Sequence, residues 1–335
     1  MSLPFARLKT FAVIAALGLS MTAKADTPRI SFQIATGSTT GTFFPVGEAI
    51  AGFISHPPGV ARCDAANVCG PAGLIITTRT SEGTVDNLLA VNDGDVESGL
   101  AQSDVVAAAV KGEGPFRPKG KQEHVRVIAS LFSEDVHLVA ASDSKIESVA
   151  DLKGKRVSFG LPGSGVSFIA GEILKAYKVP STRMRRFTLD TPAAIDELKQ
   201  GRIDAFFAVG GVPLEGLSDL LSSHAARLVP ITESGRTQLM KDQPSLEAAV
   251  MTYPGQTQVG TVATRAIWIV RDSVPDALVY GITRALFNPA NRNSLFASHP
   301  AAREIGLSTA ALMPPAPLHP GAARFYAEAA RGAQR

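Results

Sequence analysis

The chain has 335 residues, enough for two domains of ordinary size. Hydrophobic residues make up 45% of it, which supplies buried cores and excludes wholesale disorder. The formal charge of +3 is accounted for by Arg7, Lys9 and Lys24, so the remainder is neutral and a sequence-wide basic footprint for nucleic acid is excluded.

Arg7 and Lys9 precede a mostly apolar run from Thr10 to Leu19, and Ala23-Lys24-Ala25 puts small residues at the two positions signal peptidase inspects. The run is shorter than the ~20 apolar residues a span requires. Residues 1–25 therefore read as a cleavable export signal cut after Ala25, which places the mature chain in the periplasm. No later run is long and apolar enough to span a membrane.

Ile30-Ser31-Phe32 is β-like and runs into a Gly/Ser-rich turn, Gly37 to Gly41, then an apolar helical pattern holding Gly47 to Ile50. Cys63 and Cys69 are the only cysteines and sit in a Pro/Gly-rich stretch. In an oxidising compartment that pair predicts one disulfide stapling a surface excursion, and two thiols alone cannot complete a zinc site. Ser81 and Glu82 open a helix with Val85, Leu88 and Leu89 as its buried stripe. Val136 to Ala140 reads as a long strand. Val157-Ser158-Phe159, the turn Gly160 to Gly165 and a helix holding Gly171 to Leu174 repeat the opening unit. Thr191-Pro192 reads as an N-cap with proline at the first helical position, and Gly201 ends that helix. Ala266 to Val270 is a second long strand, and the tail is helical from Pro275 to Phe287 and again from Pro320.

The repeated strand–turn–helix unit, with Gly94 to Ser103 paralleling Gly201 to Gly210, favours two similar α/β lobes over one large sheet. Free backbone N–H groups and the helix dipole at such a turn suit an anion, and glycine lets it approach the main chain. Either turn alone could be an ordinary βα loop; two in facing lobes can grip one small anionic ligand. Catalytic and metal chemistry find little support. Ser164 lies in Gly163-Ser164-Gly165, outside any G-x-S-x-G elbow, and Gly160 to Gly165 is neither a dinucleotide fingerprint nor a P-loop. The six histidines form no ligand cluster and read as surface or loop residues, and Asp93, Asp95 and Glu97 lack calcium-loop spacing.

The run Gly37-Ser38-Thr39-Thr40-Gly41-Thr42-Phe43-Phe44-Pro45-Val46-Gly47 resembles the G-x-x-x-G-x-Y-Y-P-x-G motif that opens the TAXI family, the TRAP-associated extracytoplasmic solute receptors. The resemblance continues in order through Gly83 to Asn87, Ala101 to Asp104, Pro162 to Gly165, Phe207 to Pro213, Thr252 to Gln256 and Leu318 to Ala322. It implies a type II periplasmic binding protein fold: two lobes, each a mixed sheet flanked by helices, with the ligand cleft between them. Residues 26–135 with 263–335 would form one lobe and 136–262 the other, joined by two crossover strands. It also implies a non-enzymatic receptor, without cofactor or metal, that delivers glutamate, a dicarboxylate or a keto acid to a TRAP permease with fused membrane components. The receptor would be a monomer that binds no nucleic acid. A sensory protein signalling to a membrane kinase or chemoreceptor is the alternative. The implied ligand contacts are Thr40, Gly41, Thr42, Phe43, Ser81, Asn87 and Gln102 from one lobe. Pro162, Gly163, Ser164, Gly165, Val166, Gly210 and Gly211 come from the other. Phe43 and Phe44 replace the family's tyrosine pair, removing two ring hydroxyls, and Thr84 stands where serine is common.

Overall fold

Three βα units open the chain in a computed structural model that describes residues 28–231, 233–311 and 314–333. The export signal read at residues 1–25 lies outside the described residues. β1 (Ile30–Ala35), β2 (Leu74–Arg79) and β3 (Ser98–Gln102) are each followed by a helix, at Phe43–Ile54, Thr84–Asp93 and Ser103–Lys111. β4 (Val125–Ala141) then runs for 17 residues, about 55 Å of extended chain. Two more βα units follow: β5 (Arg156–Ser158) with helix Gly165–Ala176, and β6 (Arg185–Phe187) with helix Thr191–Lys199. β7 (Ala205–Gly210), β8 (Ala226–Leu228) and β9 (Glu247–Met251) lead to β10 (Val259–Arg271), and the remaining chain is helical, ending in Pro320–Ala333.

The strands join in the order β2-β1-β3-β10-β4-β7-β5-β6, with β8 on β4 and β9 on β10. β4 and β10 are antiparallel and belong to both ends of the molecule. The first part of β4 pairs with the last part of β10, Ala129 opposite Trp268, while its last part pairs with β7, Leu138 opposite Phe207. The first part of β10 takes β9 as its partner. The register of β10 against β4 shifts between Arg265 and Ile267, near the middle of both strands.

Hydrophobic burial divides along the same line. Phe32, Ile50, Leu100, Phe132, Trp268 and Ile282 share one core, and Val105, Val127 and Ile269 belong to a second in the same half. The other half buries Val136, Val157, Ile173 and Phe207 in one cluster, and Ile195, Phe206 and Leu220 in another. No described helix is long and apolar enough to cross a membrane.

Local details depart from the sequence reading in instructive ways. Helix Thr84–Asp93 starts after Gly83, because Ser81 is spent on a turn in which its hydroxyl accepts from the Gly83 N–H. Asp190, not Thr191, caps helix Thr191–Lys199, its carboxylate accepting from Ala193 N at 3.0 Å. The two long strands extend well past their apolar centres. His137 and His319 are fully buried rather than in surface loops; His137 lies in β4 with Nε2 2.9 Å from the Tyr253 hydroxyl. Cys63 and Cys69 form the predicted disulfide.

Candidate functional site

Five of the helices begin at one cavity. Its lining includes Thr42 and Phe43, Gly83 and Thr84, Gln102, Ser164 and Gly165, and Asp190 and Thr191. These are the starts of the helices that follow β1, β2, β3, β5 and β6. A parallel strand delivers its chain to the carboxyl edge of the sheet, so the helices that return from it present their N-termini there together. The cavity measures about 110 Å³ and takes lining from both halves, with Glu134 of β4 between them. A larger hollow of about 820 Å³, bordered by Ile30, Val96, Arg271 and Leu278, belongs wholly to the first half and touches none of these helix starts.

The halves meet through hydrogen bonds at the cavity rim. Gly211 N donates to Thr42 Oγ1 at 3.0 Å, and Gly163 N donates to Glu82 Oε2 at 2.9 Å. The Gly163 carbonyl accepts from Val85 N at 3.0 Å and Asp86 N at 3.3 Å, so one half's backbone satisfies orphan donors on the other's helix. The approach is close, and a side chain added at Gly163 or Gly165 of the second turn would displace a side chain of the first half. A Cβ on Gly165 would land on the Gln102 side-chain oxygen, and one on Gly163 would land on the Asp86 carboxylate.

Of the residues expected at the site, Thr40, Gly41, Thr42, Phe43, Gln102, Ser164, Gly165 and Val166 line the cavity. The others serve it differently. Asn87 is fully buried, its amide donating to Thr36 O at 2.6 Å and Leu100 O at 2.7 Å while its oxygen accepts from Ser81 Oγ at 2.7 Å. It ties helix Thr84–Asp93 to β3 and to the first turn. Gly163 and Gly211 are closure contacts, Gly210 ends β7, and Pro162 is exposed. Ser164 caps its own helix, accepting from Ser167 N at 3.2 Å and donating to Leu161 O at 2.6 Å. Phe43 packs edge-on against Phe132, 6.5 Å between centroids.

Sequence reasoning missed Glu82, Glu134 and Asp190, which also line the cavity. Burial pushes the Glu134 carboxyl up to about 8, partly offset by a hydrogen bond from Gln102. The same cause raises its buried neighbours Asp104 and Asp135, each to about 6. A carboxyl pair, Glu134-Asp135, inside an otherwise apolar strand was the available signal.

A family model described as the NMT1-like family matches residues 34–330. Among solved structures, a protein from Bordetella bronchiseptica RB50 aligns with TM-score 0.51 at 16% identity, over 89% of this chain and 82% of that one. MatC from Rhodopseudomonas palustris, with bound malate, aligns with TM-score 0.50 at 13% identity, over 81% of this chain and 88% of that one. The periplasmic aliphatic sulphonate binding protein SsuA from Escherichia coli aligns with TM-score 0.43 at 16% identity, over 81% and 79%. At these identities the likeness is one of fold, a mixed α/β architecture of strands flanked by helices, as the sequence predicted.

Proposed function

The chain belongs to the NMT1-like family, and from that premise we propose that it is a periplasmic receptor for a small anionic solute, delivering it to a membrane permease. The observation that carries this reading is the convergence of five helix N-termini on one small cavity between two halves. Each N-terminus adds partial positive charge, the uncapped start of helix Phe43–Ile54 adds N–H donors, and a charge-assisted bond to a carboxylate contributes about 1.5–3 kcal/mol. The likeness to MatC, which holds malate, supports a carboxylate.

In this reading residues 26–135 with 263–335 and residues 136–262 are lobes that hinge at the middles of β4 and β10. A solute touching both lobes adds to the Thr42–Gly211 and Glu82–Gly163 bonds and so stabilises the closed state. The ordered resemblance to TAXI receptors names the partner as a TRAP permease, driven by an ion gradient. Its expected solutes are glutamate, a dicarboxylate or a keto acid.

Native mass spectrometry of the mature protein, before and after mild unfolding, tests the proposal. A stoichiometric small acid released on unfolding is the expected result. An empty protein that gains no thermal stability from a panel of carboxylates, amino acids and sulfonates would overturn it.

A further inference from the structure

Every charged side chain lining the cavity is an acid: Glu82, Glu134 and Asp190. No Lys, Arg or His stands among the described lining residues. Two of the three acids are engaged in holding the protein together. Glu82 Oε2 accepts from Gly163 N, and Asp190 Oδ1 caps its helix through Ala193 N. Glu134 is different. It is 2% exposed, and its Oε2 is buried with no hydrogen-bond partner. Gln102 binds the carboxyl group, but the neighbouring titratable groups, buried Asp104 and half-buried Asp135, are acids as well. Asp104 also keeps one oxygen, Oδ2, without a partner.

A buried carboxyl oxygen without a partner is costly in either protonation state, and an anion placed against it holds the group neutral, so that it gains one hydrogen bond and no charge pairing. The same position is favourable for a group that brings positive charge and N–H donors. The helix N-termini around the cavity ask for the opposite chemistry, a carboxylate. We propose that the solute is a zwitterion of the amino-acid type, its ammonium group on the free oxygen of Glu134 and its carboxylate on the helix N-termini. The inference rests on the solute-receptor reading and narrows it: Glu134 selects an amino acid over the keto acid or dicarboxylate of the same carbon skeleton.

The burial of Glu134 gives the test a second readout. In the empty cleft the carboxyl is pushed up to about 8 and holds a proton near neutral pH. An ammonium ion beside it favours the ionised form, so binding at pH 7 releases a proton. A carboxylate partner would instead accept a hydrogen bond from the protonated acid, and no proton would leave.

The experiment is calorimetry of the mature protein with paired probes: L-glutamate against 2-oxoglutarate, L-leucine against 4-methyl-2-oxopentanoate, and the remaining amino acids against their 2-oxo acids. Titrations in two buffers of different ionisation enthalpy count the protons. An amino acid binding at least tenfold more tightly than its oxo acid, with release of close to one proton at pH 7, is the expected result. In Glu134→Gln, whose folding is checked by circular dichroism, that amino acid weakens at least tenfold and the oxo acid does not. An oxo acid binding as tightly as its amino acid, binding without proton release, or binding only with added calcium would overturn the inference and leave the receptor reading standing. Failure of both probe series would overturn this inference, and the receptor reading falls with it only if the wider panel of carboxylates and sulfonates fails as well.

Discussion

At the end of the turn Gly160 to Gly165 the side chain that starts the helix turns inward: Ser164 accepts from Ser167 N and caps its own helix. At Gly37 to Thr42 the equivalent residue does the reverse. Thr42 makes no side-chain cap for helix Phe43–Ile54, and its hydroxyl oxygen accepts from Gly211 N in the other half. Both turns repeat one strand–turn–helix pattern, yet they reach across differently: the second bonds the other half through the Gly163 main chain, the first through the Thr42 side chain. An uncapped helix start keeps donors free for a ligand, and a hydroxyl lent across the gap reports on closure. In the proposed receptor this asymmetry gives the second turn a fixed helix start and makes the Thr42 hydroxyl part of the contact between the halves.

The largest effect is expected where the two turns press together. Gly165→Ala places a methyl group on the Gln102 side chain and holds the halves apart. We predict a loss of solute affinity of more than about 100-fold, roughly 2.7 kcal/mol, with little change in the melt of the empty protein. Calorimetry beside a thermal melt separates the two quantities. An affinity within threefold of wild type would show that the halves need not approach this closely.

Both turns were legible as repeated Gly/Ser-rich motifs, although only the second has glycines pressed against side chains of the other half. The crossover strands were legible only at their C-terminal apolar runs, 136–140 and 266–270, since polar residues such as Glu134, Asp135 and Arg265 interrupt the pattern before them. Their continuity comes from pairing with each other from Val125 to Asp135 of β4 and then with β7 and β9 in the other half. Asn87 shows the converse error. A polar residue inside a motif was expected to face the ligand, whereas it satisfies two backbone carbonyls in the dry interior. Glu134 could be identified as a cavity residue only once β4 was known to pass between the two turns.

That position makes a prediction about pH. In the folded state Glu134 titrates near 8 rather than at its ordinary 4.5, so folding binds a proton between those values. Stability therefore falls as pH rises from about 4.5 through 8. Asp104 and Asp135 act in the same direction but complete their change near 6. His137, lowered to about 4, opposes them only below 6.5. Between pH 6.5 and 8 Glu134 stands alone, and the empty protein should lose up to about 2 kcal/mol, at most about 1.4 kcal/mol per pH unit. Urea unfolding at both pH values checks this, and Glu134→Gln should flatten the difference.

The pair Thr42→Val and Ser164→Ala sharpens the contrast between the turns. Thr42→Val keeps the shape and leaves Gly211 N without an acceptor, costing about 1–2 kcal/mol in the closed state. Solute affinity should fall about tenfold while the open protein keeps its stability. Ser164→Ala removes a cap worth about 1 kcal/mol, which lowers the melt and changes affinity less than threefold. If the two variants exchanged these signatures, the assignment of roles to the two turns would be wrong.

The smallest effect on the cleft is expected from the disulfide, and the reason is distance. Helix Phe43–Ile54 has its N-terminus in the cavity, and its C-terminus lies about 18 Å away along the axis. There the cysteine loop docks, with Gly70 N on Ile54 O at 2.8 Å and Arg62 on Gly52 O at 2.7 Å. Closing so short a loop restricts the unfolded chain and contributes about 2 kcal/mol of stability. Cys63→Ser with Cys69→Ser should therefore lower the melting temperature while leaving solute affinity within twofold. A tenfold loss of affinity would mean that the far end of this helix sets the geometry of the first turn. The uncapped turn would then owe its shape to the whole half-molecule rather than to Thr42 and its neighbours.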